Sequence, residues 1–307
     1  MALKKTTFFQ DIGWRIEAVF YDLFVAVIRG LPIDMASDLG GWLLKTFGPL
    51  TSVQKTVRRN LDIAFPDQDE AWKRNIVTAQ WENLGRTFAE FPIMDRIRIS
   101  NGRVEVVGGE RLEALAQASA PVVFISGHFA NWEIMPSTIV DYKVPCLMTY
   151  RAANNPYVDQ RIKDGRFRYG VRLFAPKGGD GAKDLLLAMG RGESVALMND
   201  QKFNKGVPTP FFDSVVYTAP GPTRLAMRFG TVLQPMSVER THKARFRVIV
   251  HPAIEVDNTG NRGTDIETTV CKVSKFVEDC VLKRPEEWFW AHKRWPKETY
   301  KVRTDQN

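Results

Sequence analysis

The chain changes texture after Pro92, and that change limits the folds open to it. Short runs rich in β-branched residues appear at 104–107, 122–126, 146–150, 171–174, 194–198, 232–238 and 246–251. Helical patterns lie between most of them, at 110–119, 132–142, 158–169, 181–189 and 222–229, and another follows at 265–283. Strands that alternate with helices predict an α/β fold: a mostly parallel, mixed sheet flanked by helices. Before Pro92 the apolar spacing is helical instead. Residues 33–46 and 52–64 repeat at about 3.6 residues, Pro66 ends the second run, and 70–91 forms a longer amphipathic stretch. The expected organisation is a helical N-terminal, membrane-associating extension over 1–100, continuous with a catalytic α/β region over 101–307.

Within the alternation, one passage carries chemistry: PVVFISGHFANWE, residues 121–133. A buried strand runs into Ser126-Gly127 and then His128, and Asn131-Trp132-Glu133 opens a helix. Ligand sites of α/β sheets lie beyond the carboxyl ends of the strands, where His128 falls. Gly127 is expected to allow a tight turn there. His128 and Glu133 form H-x4-E. On one helix they would stand about 140° apart. They meet only if His128 sits in the turn and Glu133 in the first turns of the helix. Glu133 is then expected to accept from one ring nitrogen of His128, leaving the other to take a proton from a substrate hydroxyl. The plainer alternative is a strand-end histidine that caps a turn. H-E-x-x-H and G-x-S-x-G are both absent, so neither zinc nor a serine nucleophile is expected. Lys177-Gly178-Gly179-Asp180-Gly181 precedes a helix without the G-K-[ST] of a phosphate loop, and reads as a plain loop more readily than as a phosphate site.

Composition narrows the partners. Of 307 residues, 44% are apolar, enough for a sizeable core, and 43 Lys and Arg outweigh 35 Asp and Glu to leave a net charge of +8. A basic protein suits acidic partners. No nucleic-acid-binding pattern is visible, so nucleic acid is not expected. Three cysteines (Cys146, Cys271 and Cys280) without a C-x-x-C argue against a disulfide scaffold or structural zinc. The apolar stretch at 18–28 is short and contains Asp22, whereas a spanning helix needs about 20 apolar residues, so no transmembrane helix is expected. Phe20, Leu23, Phe24, Val27 and Leu31 recur at helical spacing between Trp14, Arg15 and Arg29. Two readings stand equal: a helix lying in a membrane interface, or one packed on the core.

Six blocks, in order, carry a resemblance. They are VRRNLDIAFP (57–66), WENLGRTFAEF (81–91), ISGHFANWE (125–133), TYRAANNP (149–156), LMNDQ with PTPFF (197–201 and 208–212), and PEEWFWAHKRW (285–295). Together they resemble the bacterial late acyltransferases of lipid A biosynthesis, the lauroyl and myristoyl transferases, within the H-x4-D/E lysophospholipid acyltransferase superfamily. The resemblance implies transfer of a fatty acyl chain from acyl carrier protein to a hydroxyl of an anionic lipid A precursor, at the cytoplasmic face of the bacterial inner membrane, without metal or cofactor. It makes His128 the general base, Glu133 its orienting acid, and Arg151 the group that stabilises the oxyanion or holds a phosphate. Asn131 is expected to bind substrate, and Asp200 and Gln201, just past the strand at 194–198 where site residues of such a sheet fall, are expected to be acceptor-side or structural residues of the site. Related acceptors are ornithine lipids or glycolipids, with acyl-CoA as another donor, and water in place of the lipid hydroxyl would make a thioester hydrolase.

Basic residues cluster at Arg151, Arg161, Lys163, Arg166, Arg168, Arg172 and Lys177, and again at Arg240, Lys243, Arg245 and Arg247. Such clusters suit anionic headgroups or an acidic carrier. Trp288, Trp290 and Trp295, beside Lys293 and Arg294, fit either a membrane-interface belt or packing over a sheet edge.

Overall fold

A computed structural model describes residues 7–118, 120–150, 152–171, 174–176 and 181–300. Helix α1 (Phe8–Gly30) starts at Thr7, whose side chain caps Gln10 N, and ends at Leu31. Asp11, Trp14, Ala18, Tyr21, Val25 and Ile28 recur at helical spacing as its covered stripe. The opposite side stays apolar yet open: Phe9 is 84% exposed, Phe20 67% and Leu23 61%. The helix is therefore largely apolar on both its covered and its open side. Among the described residues no helix is long and apolar enough to cross a membrane.

Helix α2 (Ile33–Phe47) is followed by α3 (Val53–Ala64) and α4 (Glu70–Glu90). α2 and α4 cross at Gly40 and Gly85, each lying on the other's backbone carbonyl; a Cβ at either position would overlap that carbonyl. The outer side of α2 leaves Met35, Trp42 and Phe47 exposed.

The sheet is built from β1 (Val104–Val107), β2 (Val123–Ser126), β3 (Cys146–Tyr150), β4 (Phe174–Pro176), β5 (Ser194–Met198), β8 (Leu233–His242) and β9 (Arg245–Val250), in the order β1-β9-β8-β2-β5-β3-β4. Strands β8, β2, β5, β3 and β4 run parallel, while β9 turns back against β8 and carries β1 alongside it. The expected mixed, mostly parallel sheet is therefore present. It is flanked by α5 (Gly109–Ala118), α6 (Ile134–Asp141), α7 (Pro156–Arg168), α8 (Gly181–Gly190), α9 (Gly221–Phe229) and α10 (Arg262–Lys283). β2 is buried along its whole length, as expected of a central strand covered on both faces.

One element escaped the periodicity: the hairpin of β6 (Val207–Phe211) and β7 (Ser214–Thr218). Pro208 and Pro210 make that stretch read as a loop. They occupy alternate positions, where a missing N–H would point away from β7, so an edge strand tolerates them. Phe212 and Asp213 close the hairpin with φ of 48° and 52°, the left-handed pair that a two-residue turn needs.

After α10 the chain returns beneath the sheet ends. Trp288, Trp290 and Trp295 are almost wholly buried, so they pack as core and do not form a membrane belt. Aromatic side chains of this kind remove about 150–250 Å² each from water, and nothing offsets that as well as mutual packing. Trp288 and Trp290 meet edge to face at 4.6 Å. Asn60, from the first of the six sequence blocks, donates through Nδ2 to the carbonyls of Trp290 (2.7 Å) and His292 (2.8 Å). Two blocks far apart in sequence are thus one packed unit.

Candidate active site

The site begins with strand register. β2 and β5 are parallel neighbours with Ser126 opposite Met198, so the chain leaves both strands side by side. Two residues farther along stand His128 and Asp200. Asp200 Oδ2 accepts from the His128 backbone N–H at 2.7 Å, and Oδ1 lies 2.8 Å from His128 Nδ1. The Trp288 indole N–H also donates to Oδ2, at 2.9 Å. Burial alone would raise the Asp200 carboxyl, but the His128 charge and these donors hold it well below the usual range, so it stays ionised. An ionised carboxylate only accepts, so the ring proton sits on Nδ1 and Nε2 is the basic nitrogen.

The turn that carries His128 is clamped from the C-terminal side. Phe289 N–H donates to the His128 carbonyl at 3.1 Å, and Ala130 N–H donates to the Glu287 carbonyl at 2.8 Å. Ala130 has a φ of 43°, uncommon for a residue with a side chain, and Thr87 Oγ1 donates to its carbonyl at 2.9 Å. The imidazole lies edge to face against Trp132 at 5.1 Å. Gly127 is needed for space, since its φ is not positive: a Cβ there would stand 2.6 Å from the Phe129 ring.

Glu133 is where the sequence expectation requires correction. It does not accept a hydrogen bond from His128. Its buried carboxylate takes Arg166 Nε at 2.9 Å, Arg166 Nη2 in a second and shorter bond, and the Tyr169 hydroxyl at 2.7 Å. Burial pushes the Glu133 carboxyl up, but Arg166 and Tyr169 outweigh it and the net shift is downward, with a smaller contribution from His128. Arg166 offers a forked pair of donors that a single ring nitrogen cannot match, and the carboxylate turns toward it. His128 and Glu133 still line one cavity of about 170 Å³. Its walls are greasy, with Ile125, Met135, Ile139, Met148, Met198 and Met236, and its polar end holds His128, Glu133 and Arg166.

The other expected residues divide. Asn131 is wholly buried: Nδ2 donates to Glu90 at 2.9 Å and Oδ1 accepts from the Glu133 N–H at 3.1 Å. It braces the start of the helix and does not line the cavity, which corrects its assignment to substrate. Gln201 stands beside the site with its carbonyl accepting from Arg294 at 3.3 Å. Arg151 and residues 177–180 lie outside the described residues. Much of the basic run on α7 is committed internally: Arg161 to Asp22, Lys163 to Asp159 and Arg166 to Glu133. The sequence offered Arg166 only as part of a basic run and Trp288 only as part of an aromatic cluster, and did not offer Tyr169, because nothing in their local pattern marks them as partners of Glu133 and Asp200. Among the described residues, no three His, Cys, Asp or Glu side chains come together as a metal site would require.

Comparison with known proteins identifies the family. The profile of the family "bacterial lipid A biosynthesis acyltransferase" matches residues 11–297. The lipid A biosynthesis lauroyltransferase of Escherichia coli K12 is 27% identical over 248 residues, covering 78% of each chain. The lipid A biosynthesis palmitoleoyltransferase of the same organism is 22% identical over 271 residues, covering 86% of each chain. The crystal structure of the 1-acyl-sn-glycerophosphate (LPA) acyltransferase of Thermotoga maritima aligns with 92% of this chain and 100% of its own, at 13% identity and a TM-score of 0.37. The chain belongs to the bacterial lipid A biosynthesis acyltransferase family, and it is an acyltransferase.

Proposed function

We propose that the enzyme moves a fatty acyl group from the thioester of acyl carrier protein to the hydroxyl of a 3-hydroxyacyl chain on a lipid A precursor, with His128 as general base. The observation that carries this reading is the His128–Asp200 pair, with His128 on the wall of a greasy cavity. Nε2 takes the hydroxyl proton as the oxygen attacks the thioester carbonyl. The tetrahedral intermediate then collapses, the C–S bond breaks, and the imidazolium returns its proton to the leaving thiolate. Asp200 fixes the tautomer and stabilises the imidazolium. Glu133 adds a negative charge nearby, and its main work is to hold Arg166 against the cavity, where a positive charge favours the developing oxyanion. The apolar cavity suits the donor's acyl chain.

The open apolar side of α1 supports attachment to the cytoplasmic face of the inner membrane, with the helix lying in the interface. Asp22, which interrupts the apolar stretch, is bound by Arg161 at 2.6 and 2.7 Å, so it anchors α1 to α7.

The test is product analysis with purified protein, acyl carrier protein thioester and lipid A precursor. Wild type is expected to give acylated lipid and little free fatty acid, and His128→Ala to give neither above background. Free acid as the main product in the presence of acceptor would make the protein a hydrolase. Near-normal transfer by His128→Ala would remove the general base from the mechanism.

A further inference from the structure

A second cavity, of about 420 Å³, lies between α1, α7 and the turn that follows α4. Its apolar wall includes Phe24, Val25, Phe88, Phe91, Pro92 and Ile162. Phe24 and Phe88 are also 37% and 41% exposed, so they stand at its opening. Arg161 and Arg168 lie on the same rim, with Arg168 exposed. Inside, the cavity reaches Glu133, Tyr150 and Arg166, which also line the catalytic cavity. Glu133, Tyr150 and Arg166 therefore form a wall common to the two cavities.

We propose that this second cavity is the slot for the hydroxyl-bearing hydrocarbon arm of the acceptor lipid, entered from the membrane side past α1. The assignment rests on the acyl-transfer reading above. A transfer between two lipidic substrates needs two apolar channels converging on one base, and the catalytic cavity provides only one of them. The second is bounded by the helix whose other face is open and apolar, so a chain drawn from a bilayer passes from one apolar surface to the next without crossing water. On its rim Arg161 is held by Asp22, and the exposed guanidinium of Arg168 suits a phosphate of an anionic headgroup. The hydroxyl of an arm threaded this way arrives beside Glu133 and Arg166, the wall whose other side faces the cavity that holds His128.

The test separates this slot from the reaction itself. Binding of a lipid A precursor in detergent solution is measured by calorimetry on His128→Ala protein, which has no turnover. Adding Val25→Trp fills the slot, and Phe88→Asp, at an exposed position, sets a negative charge at its opening with little risk to folding. Both are expected to weaken acceptor binding about tenfold or more, the scale on which a pocket discriminates by filling. In otherwise wild-type protein, the same changes are expected to raise the acceptor KM while leaving the donor KM within about twofold. Unchanged acceptor affinity in Phe88→Asp, or a rise in donor KM alone, would overturn the assignment. If acceptor binds and the slot variants weaken it, but wild type transfers no acyl group, then the proposed reaction is wrong and the slot stands.

Discussion

Replacing Asp200 by Asn keeps the shape of the side chain and removes its charge. Three donors meet at that carboxylate: the His128 backbone N–H, the ring Nδ1–H and the Trp288 indole N–H. An amide has one accepting oxygen for them and presents its own N–H₂ where an acceptor is needed, which favours the wrong ring tautomer. The lost charge sets the larger cost. Two unit charges about 4 Å apart at an effective dielectric of about 20 attract by about 4 kcal/mol. If that stabilisation is needed only when the ring becomes imidazolium, the rate falls on the order of 10³-fold, inside the ~10²–10⁴ range for general-base catalysis. The assay is single-turnover transfer from a labelled thioester to lipid acceptor at saturating concentrations of both. Because the substitution leaves both cavities intact, KM values should stay close to wild type. A drop of less than about threefold, in protein whose melting temperature is unchanged, would show that Asp200 does not serve His128 in the chemical step.

Glu133→Gln leaves the Arg166 guanidinium without its counter-charge in a buried place, and breaking a buried pair costs about 3–5 kcal/mol; a melting temperature within a degree of wild type would refute that pairing. Glu133 and Asp200 both have carboxyl pKa values lowered by folding, so the stability they contribute is present above the unfolded carboxylate range near pH 4 and is lost as pH falls below it. Chemical denaturation between about pH 5 and pH 3 should show that loss, and the double Gln/Asn variant should show a shallower one. Gly85→Ala pushes a methyl group into the Gly40 backbone, and circular dichroism melts should report a destabilisation of about 1–3 kcal/mol or more. Phe20→Glu with Leu23→Glu alters only the open side of α1. Each buried apolar side chain is worth about 1.5–3 kcal/mol, so flotation with anionic vesicles should fall at least ~tenfold while folding is retained. High salt or alkaline carbonate should release part of the wild-type protein, and complete retention would argue against interfacial attachment.

Much of the fold was readable because its signals are local. The strand at 123–126 is a solid apolar run ending at Gly127-His128, and the alternation that follows determines an α/β sheet whatever the details. Helix α1 was legible as a helix, with Asp22 interrupting its apolar stretch. Whether its apolar residues faced protein or solvent was undecided, since periodicity reports spacing and cannot say which stripe finds a partner. The answer is both: Trp14, Tyr21 and Val25 face inward, and Phe20 and Leu23 are open. The tryptophans of the C-terminal block show the same limit. An aromatic cluster beside Lys293 and Arg294 reads equally as belt or core, and only the returning chain path buries it.

The residues themselves determined an imidazole at a strand exit, an acid five positions beyond it, and the family the chain belongs to, because each of these is written in composition and short-range order. The tertiary structure decided which acid serves the imidazole. Glu133 is five positions from His128 and Asp200 is seventy-two away, yet the neighbouring parallel strands β2 and β5 bring Asp200 to Nδ1, while Arg166 and Tyr169 from α7 and its C-terminal end draw Glu133 elsewhere. A carboxylate goes where the most donors converge, and that convergence is a property of strand order and helix packing, which no short stretch of sequence contains.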